Sequence, residues 1–306
     1  MFLITLGQIA KMTLILILGF CISKTGLISH EGNKGLSNLL LMVVNPLMVF
    51  ESFLTECTPQ KLRDFLIATA LAVTAHVVAI LVASVVVKKK GNPSFDVERI
   101  AIVFSNCGFM GIPLIHALLG SEGVLYLTPY VMVFSLFLWS YGVSQMTGSH
   151  DLRQIGKGMM TPVTFAIIAG FIFFVTGLRL PALVTDAMDY VADMNTPLAM
   201  LIAGISLAES NLGVALSRAR IYLICAVKLL LIPFLLMLLF RFLPVRRDIL
   251  CVNLIAAACP TATSGTLFAL RYNGDYHYAS ELFAICTVLS MATIPLFVFV
   301  MDRFIP

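Results

Sequence analysis

Asn106-Cys107-Gly108-Phe109-Met110-Gly111-Ile112-Pro113 and, roughly 152 positions later, Ala258-Cys259-Pro260-Thr261-Ala262-Thr263-Ser264-Gly265 are the stretches that decide the fold. Both lie inside apolar runs, and both carry residues that break helices. Pro113 has no amide hydrogen and its ring clashes with the carbonyl four residues back, while Gly108 and Gly111 favour unwinding. Pro260 and Gly265 flank the hydroxyls of Thr261, Thr263 and Ser264. The likeness extends outward: Asn45-Pro46-Leu47 recurs as Thr196-Pro197-Leu198, and His76 inside one apolar run recurs as Lys228 inside another. A single interruption reads as a kink. Two at matched positions, each with polar side chains, are the pattern of a secondary transporter with its site at the interruptions.

Composition sets the frame. With 306 residues, 59% hydrophobic and 12% charged, the chain has too little polar surface for a soluble domain of this size. Apolar runs of about 20 residues can cross a bilayer. Ten are read: Leu3–Ile22, Leu36–Phe53, Phe65–Val87, Ile100–Leu119, Val124–Met146, Pro162–Gly177, Met194–Ala208, Ile221–Leu243, Ile249–Leu270 and Ala279–Met301. They nearly exhaust the chain and leave no room for a soluble catalytic domain. The first run has no basic residue before it and Lys11 in its middle, so it reads as a retained helix and not a signal peptide.

The fold class expected is therefore an all-α polytopic membrane protein, with ten transmembrane helices arranged as a 5+5 inverted repeat. Five is odd, so the second half enters the membrane from the opposite side to the first. Residues 1–147 form the first repeat, 148–161 a connector and 162–306 the second repeat. Basic residues are in excess after odd-numbered spans, among them Lys88, Lys89, Lys90, Arg99 and Arg271, which places those loops in the cytoplasm and both termini outside. Arg241, Arg246 and Arg247 argue the other way. The cysteines lack paired spacing and read as small buried hydrophobes. The histidines lack metal-ligand spacing, so neither metal nor cofactor is expected. The small positive charge is a membrane signature, with no nucleic-acid partner implied.

A helix interrupted in mid-membrane exposes free amide hydrogens where its second half begins, and these favour negative charge. Asn106 adds a donor and an acceptor, and Thr261, Thr263 and Ser264 add hydroxyls. The candidate binding set is Asn106, Cys107, Gly108, Gly111, Pro113, Pro260, Thr261, Thr263, Ser264 and Asn45. Such a set suits a small organic anion better than a sugar or a bare metal cation. For Asn45 and Thr196, capping of a proline kink is the alternative. Three ionisable residues, Glu51, His76 and Lys228, lie at membrane depth, where charge is costly and usually functional. Lys228 is expected to supply positive potential or to bond a freed carbonyl, with structural pinning as the alternative. His76 reads as a proton relay or a satisfied helix–helix contact, and Glu51 as a coupling or an interfacial group. Asp186, Asp189 and Asp193 share a helical face, which either lines the outer entrance or meets solvent; solvent is the preferred reading.

At these residues the chain resembles the auxin efflux carrier family, which includes plant PIN-FORMED carriers and bacterial permeases. Asn106 to Leu114 is close to the family string Asn-x-x-x-Met-Gly-Ile-Pro-Leu, with support from Asn45-Pro46-Leu47, Thr196-Pro197-Leu198-Ala199-Met200 and Ala258-Cys259-Pro260. The resemblance implies crossing fourth and ninth helices, and a scaffold of spans one, two, six and seven, often dimeric. It implies a transport domain of spans three to five and eight to ten that moves like an elevator. It also implies an organic-anion substrate, with Asn106 at the substrate. Plant members follow the ninth-span proline with an amide residue where this chain has Thr261. That points away from auxin and toward a bacterial-type permease of an acid such as malonate or malate in the cell membrane. The alternatives are a sodium-coupled symporter resembling bile-acid carriers, a non-transporting sensor, and an enzyme. No acidic residue sits beside either break, and Glu51, His76 and Ser264 fall on different spans with no catalytic signature.

Overall fold

A computed structural model describes residues 1–148, 160–210 and 212–305. Among these residues all regular secondary structure is helical, apart from one isolated antiparallel bridge between Ser105 and Thr261. The helices are α1 (Phe2–Lys24), α2 (His30–Ser52), α3 (Pro59–Val86), α4 (Phe95–Val103) and α5 (Cys107–Thr147). They continue with α6 (Pro162–Thr176), α7 (Ala182–Ala192), α8 (Asn195–Glu209), α9 (Leu212–Ser217), α10 (Ala219–Phe240), α11 (Arg247–Ala258), α12 (Thr263–Arg271) and α13 (Tyr276–Phe304). Among the described residues seven segments are long and apolar enough to cross a membrane, α7 and α8 together counting as one. The molecule is a polytopic helical membrane protein. Most of the connector, residues 149–159, lies outside the described residues.

The largest departures from the expected runs are at the fourth, seventh and ninth. The fourth run is not one helix: α4 stops at Val103, and α5 starts at Cys107 after an extended segment. The ninth divides likewise into α11 and α12 around residues 259–262. The seventh is longer than its apolar core, because α7 leads into α8 through a two-residue turn that the polar residues Asp189 and Asp193 had disguised. The 41-residue α5 turns sharply at Gly120, where φ is 62°, a left-handed conformation that favours glycine.

Prolines shape the helices in a repeated way. Wide π-helical turns cover Leu40–Val44, Cys107–Gly111 and Val227–Leu231, each ending two residues before a proline: Pro46, Pro113 and Pro233. The missing proline amide and the clash with the carbonyl four residues back are relieved by widening the preceding turn. These turns carry Gly108 and Lys228 and end at Asn45.

Two sets of contacts divide the helices. On one side α1 packs along α8 backbone to backbone, and α2 packs on α6 and α7. A Cβ added at Gly204 would fall 2.0 Å from the Leu16 carbonyl oxygen, and one at Gly19 would fall 2.4 Å from that of Leu201. Close approach through small residues is how membrane helices gain contact without a hydrophobic driving force.

On the other side two ion-pair networks tie the remaining helices. Glu98 of α4, 1% exposed, accepts two bonds from Arg220 of α10 at 2.8 and 2.7 Å and one from Tyr278 of α13 at 2.9 Å. Asp64 of α3, 2% exposed, accepts from Arg246 at 2.9 Å, and Arg246 also stacks over Tyr126 of α5. Removing one partner of a buried ion pair leaves the other uncompensated. Glu98→Ala is therefore expected to destabilise the protein by about 3 kcal/mol, the low end of the range because Arg220 keeps part of its solvent contact. The midpoint of thermal unfolding in detergent measures it, with the exposed Glu31→Ala as the control that should change little.

Candidate functional site

The interruptions of the two chain segments meet. Residues 104–106 and 260–262 lie antiparallel: the Asn106 amide donates to the Pro260 carbonyl at 2.7 Å, and the Ala262 amide donates to the Phe104 carbonyl at 2.9 Å. Unwound backbone at membrane depth must find partners inside the protein, and each segment supplies them for the other. Ser105 adds a third link, its hydroxyl donating to the Ala257 carbonyl at 3.3 Å.

What remains unpaired around this crossing is rich in donors. Asn106 is 5% exposed, and its Oδ1 accepts from the Phe109 amide at 3.4 Å, so it caps the first turn of α5. Its Nδ2 is buried without a partner. The start of α12 has no side-chain cap, and the hydroxyls of Thr263, Ser264 and Thr266 are buried without partners. Thr261 is also buried, with its amide donating to the Cys286 thiol at 3.4 Å. Cys107, Gly111, Pro113 and Pro260 are buried in the walls. Gly111 holds the two segments together, since a Cβ there would touch Cys107 at 3.3 Å and the Cys259 sulfur at 3.6 Å.

Lys228 reaches the crossing from α10. It is 2% exposed and donates to the Ser105 hydroxyl at 2.6 Å, with no acidic partner among the described residues. Ser105, which the sequence reading passed over, is thus the hinge of the cluster. The hydroxyl of Tyr130 lies 3.4 Å from Ser105, and the Tyr130 ring lies 4.8 Å from the His76 ring. His76 is 1% exposed, stacks on Phe137 and bonds the Ala72 carbonyl through Nδ1 at 2.8 Å, leaving Nε2 without a partner. The two residues that the repeat matched are therefore in one cluster, linked through Ser105 and Tyr130.

Asn45 also reaches the crossing: a Cβ on Gly108 would sit 3.7 Å from its Nδ2. Its hydrogen-bond partner is Asn195, whose Nδ2 donates to the Asn45 Oδ1. Aligning the two proline motifs had pointed to Thr196. The side chain that pairs is one residue earlier, because Asn195 is buried and Thr196 is only half-buried.

Glu51 stands apart from this centre. It lines a separate cavity of about 280 Å³ with Asp189, Asp193, His116, Ser52 and Ser121. Asp189 and Asp193 are exposed, as the solvent reading expected, yet they also face this cavity, whereas Asp186 does not line it. The donor set of the crossing suits an anion, and the Glu51 cavity suits a proton. Among the described residues no group of three or more His, Cys, Asp or Glu side chains could hold a metal ion.

Comparison with known proteins agrees with a transport role. The chain is 22% identical over 292 residues to an uncharacterized transporter of Methanothermobacter thermautotrophicus, covering 94% of this chain and 95% of that one. It is 24% identical over 203 residues to the uncharacterized transporter YfdV of Escherichia coli K12, covering 63% of this chain and 64% of YfdV. Residues 4–298 match the family model described as membrane transport protein, and the chain belongs to that family, the auxin efflux carrier-like transporters.

Proposed function

We propose that this protein is a secondary transporter of a small organic carboxylate, such as malonate, malate or an auxin-like acid, bound where the interrupted segments cross. The observation that carries this reading is a buried lysine without a carboxylate, bonded to Ser105, and a buried amide donor without an acceptor on the next residue, Asn106. An uncompensated ammonium in a low-dielectric interior is costly by several kcal/mol, and an unpaired donor adds to that cost. A carboxylate seated between Lys228, Asn106 and the uncapped start of α12 relieves all of these at once. No enzymatic role is assigned.

The ten-crossing inverted repeat belongs to the same proposal. Supporting it are the bond between Ser105 and Ala257, which are 152 residues apart, and the parallel roles of Tyr126 and Tyr278 beside the two ion-pair networks. The division into a scaffold (spans one, two, six and seven) and a moving domain (spans three to five and eight to ten) is supported by the glycine contacts of α1 with α8. It is supported equally by the Glu98 and Asp64 networks, which bind the other helices into one body. Sliding of that body against the scaffold would alternate access to the site. Placement in the cell membrane with both termini outside, and pairing of scaffolds in a homodimer, complete the reading.

Thermal unfolding of the purified protein against mono- and dicarboxylates, with and without sodium, tests this. A ligand that binds only the folded state raises the midpoint by mass action. A rise with carboxylates that Lys228→Met removes is the expected result. Midpoints that no carboxylate moves would overturn it, and a rise that requires sodium would favour the sodium-coupled symporter.

A further inference from the structure

The pairing of Asn45 with Asn195 has a consequence for substrate choice. Asn45 is 3% exposed and Asn195 1%. A single hydrogen bond between two carboxamides uses one N–H and one carbonyl, and leaves one carbonyl and one amino group free. That remainder is the same whichever way the two amides are turned. Here the Asn195 Oδ1 is buried and has no partner. The pair sits against Gly108, two residues beyond Asn106, whose Nδ2 is the unpaired donor. The helix that carries Asn195 packs on the Cys107–Gly111 turn. The unpaired donor thus opens that turn, and the unpaired acceptor opens the helix that packs on it.

A carboxylate offers only acceptors, so it satisfies Asn106 and leaves the Asn195 carbonyl bare. A hydroxyl one or two carbons away supplies the missing donor. An ammonium group would do so too, but it would sit beside the resident charge of Lys228, which disfavours amino acids. We infer that the Asn45–Asn195 pair is a hydroxyl-reading subsite, and that the protein selects hydroxycarboxylates over their unsubstituted counterparts. The inference rests on the carboxylate reading above and refines it. A site built to bond a hydroxyl penalises the analogue that lacks it, because the buried acceptor is left unpaired.

The test is binding of matched pairs to the full-length protein in detergent: malate against succinate, hydroxymalonate against malonate, lactate against propionate. The hydroxy acid of at least one pair is expected to bind on the order of ten- to a hundredfold more tightly. Asn195→Leu should remove that preference, so that the two acids of each pair bind with comparable affinity. If the single variant does not fold, the Asn45→Leu/Asn195→Leu double variant removes both partners, which is far less disruptive than leaving one unpaired. Equal binding within every pair overturns the subsite and leaves the carboxylate reading standing. A preference that survives either variant also overturns it. No binding of any acid overturns both readings together.

Discussion

Asn106→Ala is expected to lower substrate-dependent transport in proteoliposomes by roughly ten- to a hundredfold, with folded protein still recovered from detergent. A hydrogen bond to a charged group contributes about 1.5–3 kcal/mol, and each 1.4 kcal/mol is a factor of ten. The buried Nδ2 has no other partner, so its loss leaves no protein acceptor stranded. Asn106 also caps α5 through the Phe109 amide, and the loss of that cap is a competing explanation. Asn106→Asp separates the two. Aspartate keeps an oxygen for the Phe109 amide but sets a negative charge against the anion. Its transport should therefore be at least as low as that of the alanine variant, with a higher thermal midpoint. Recovery of transport in Asn106→Asp would assign the residue to capping alone.

The second large effect concerns stability. Gly204→Ala is expected to destabilise the fold by about 3 kcal/mol or more, at the upper end of the overpacking range. Alanine is the better helix former by about 1 kcal/mol, so propensity alone predicts a gain. Geometry overrides it: the new Cβ would stand 2.0 Å from the Leu16 carbonyl oxygen and 2.8 Å from the Phe20 amide nitrogen. Both are backbone atoms of α1, which cannot rotate out of the way, so the two helices must separate along their whole contact. Gly7→Ala, on α1 with nothing within 4 Å of its Cβ, is the control and should be neutral or slightly stabilising. A Gly204→Ala protein with an unchanged midpoint in thermal unfolding would show that the α1–α8 contact carries little stability.

Much of this was legible in the sequence. Hydropathy alone requires a membrane-embedded helical chain, because runs such as Leu3–Ile22 and Phe65–Val87 have nowhere else to be stable. Local chemistry located the second interruption at Pro260, whereas the first falls at residues 104–106, upstream of Pro113, which lies inside α5 behind a widened turn. The repeat drew attention to His76 and Lys228 before any contact was known. The partners were not legible. Ser105 carries no signal of its own, and it matters only because residues 104–106 and 260–262 trade backbone hydrogen bonds across the fold. The pairing of Asn45 with Asn195 instead of Thr196 depends on which side of α8 faces the crossing, and one residue of shift turns a helix by about 100°. Glu51 and His116 meet in a cavity only because α2 packs against α5 and α7. The sequence by itself determined where the chain is apolar and where its helices must break, because those follow from transfer free energy and backbone chemistry. Only the tertiary structure decided which donors and acceptors remain without partners, because that depends on contacts between residues far apart in the chain.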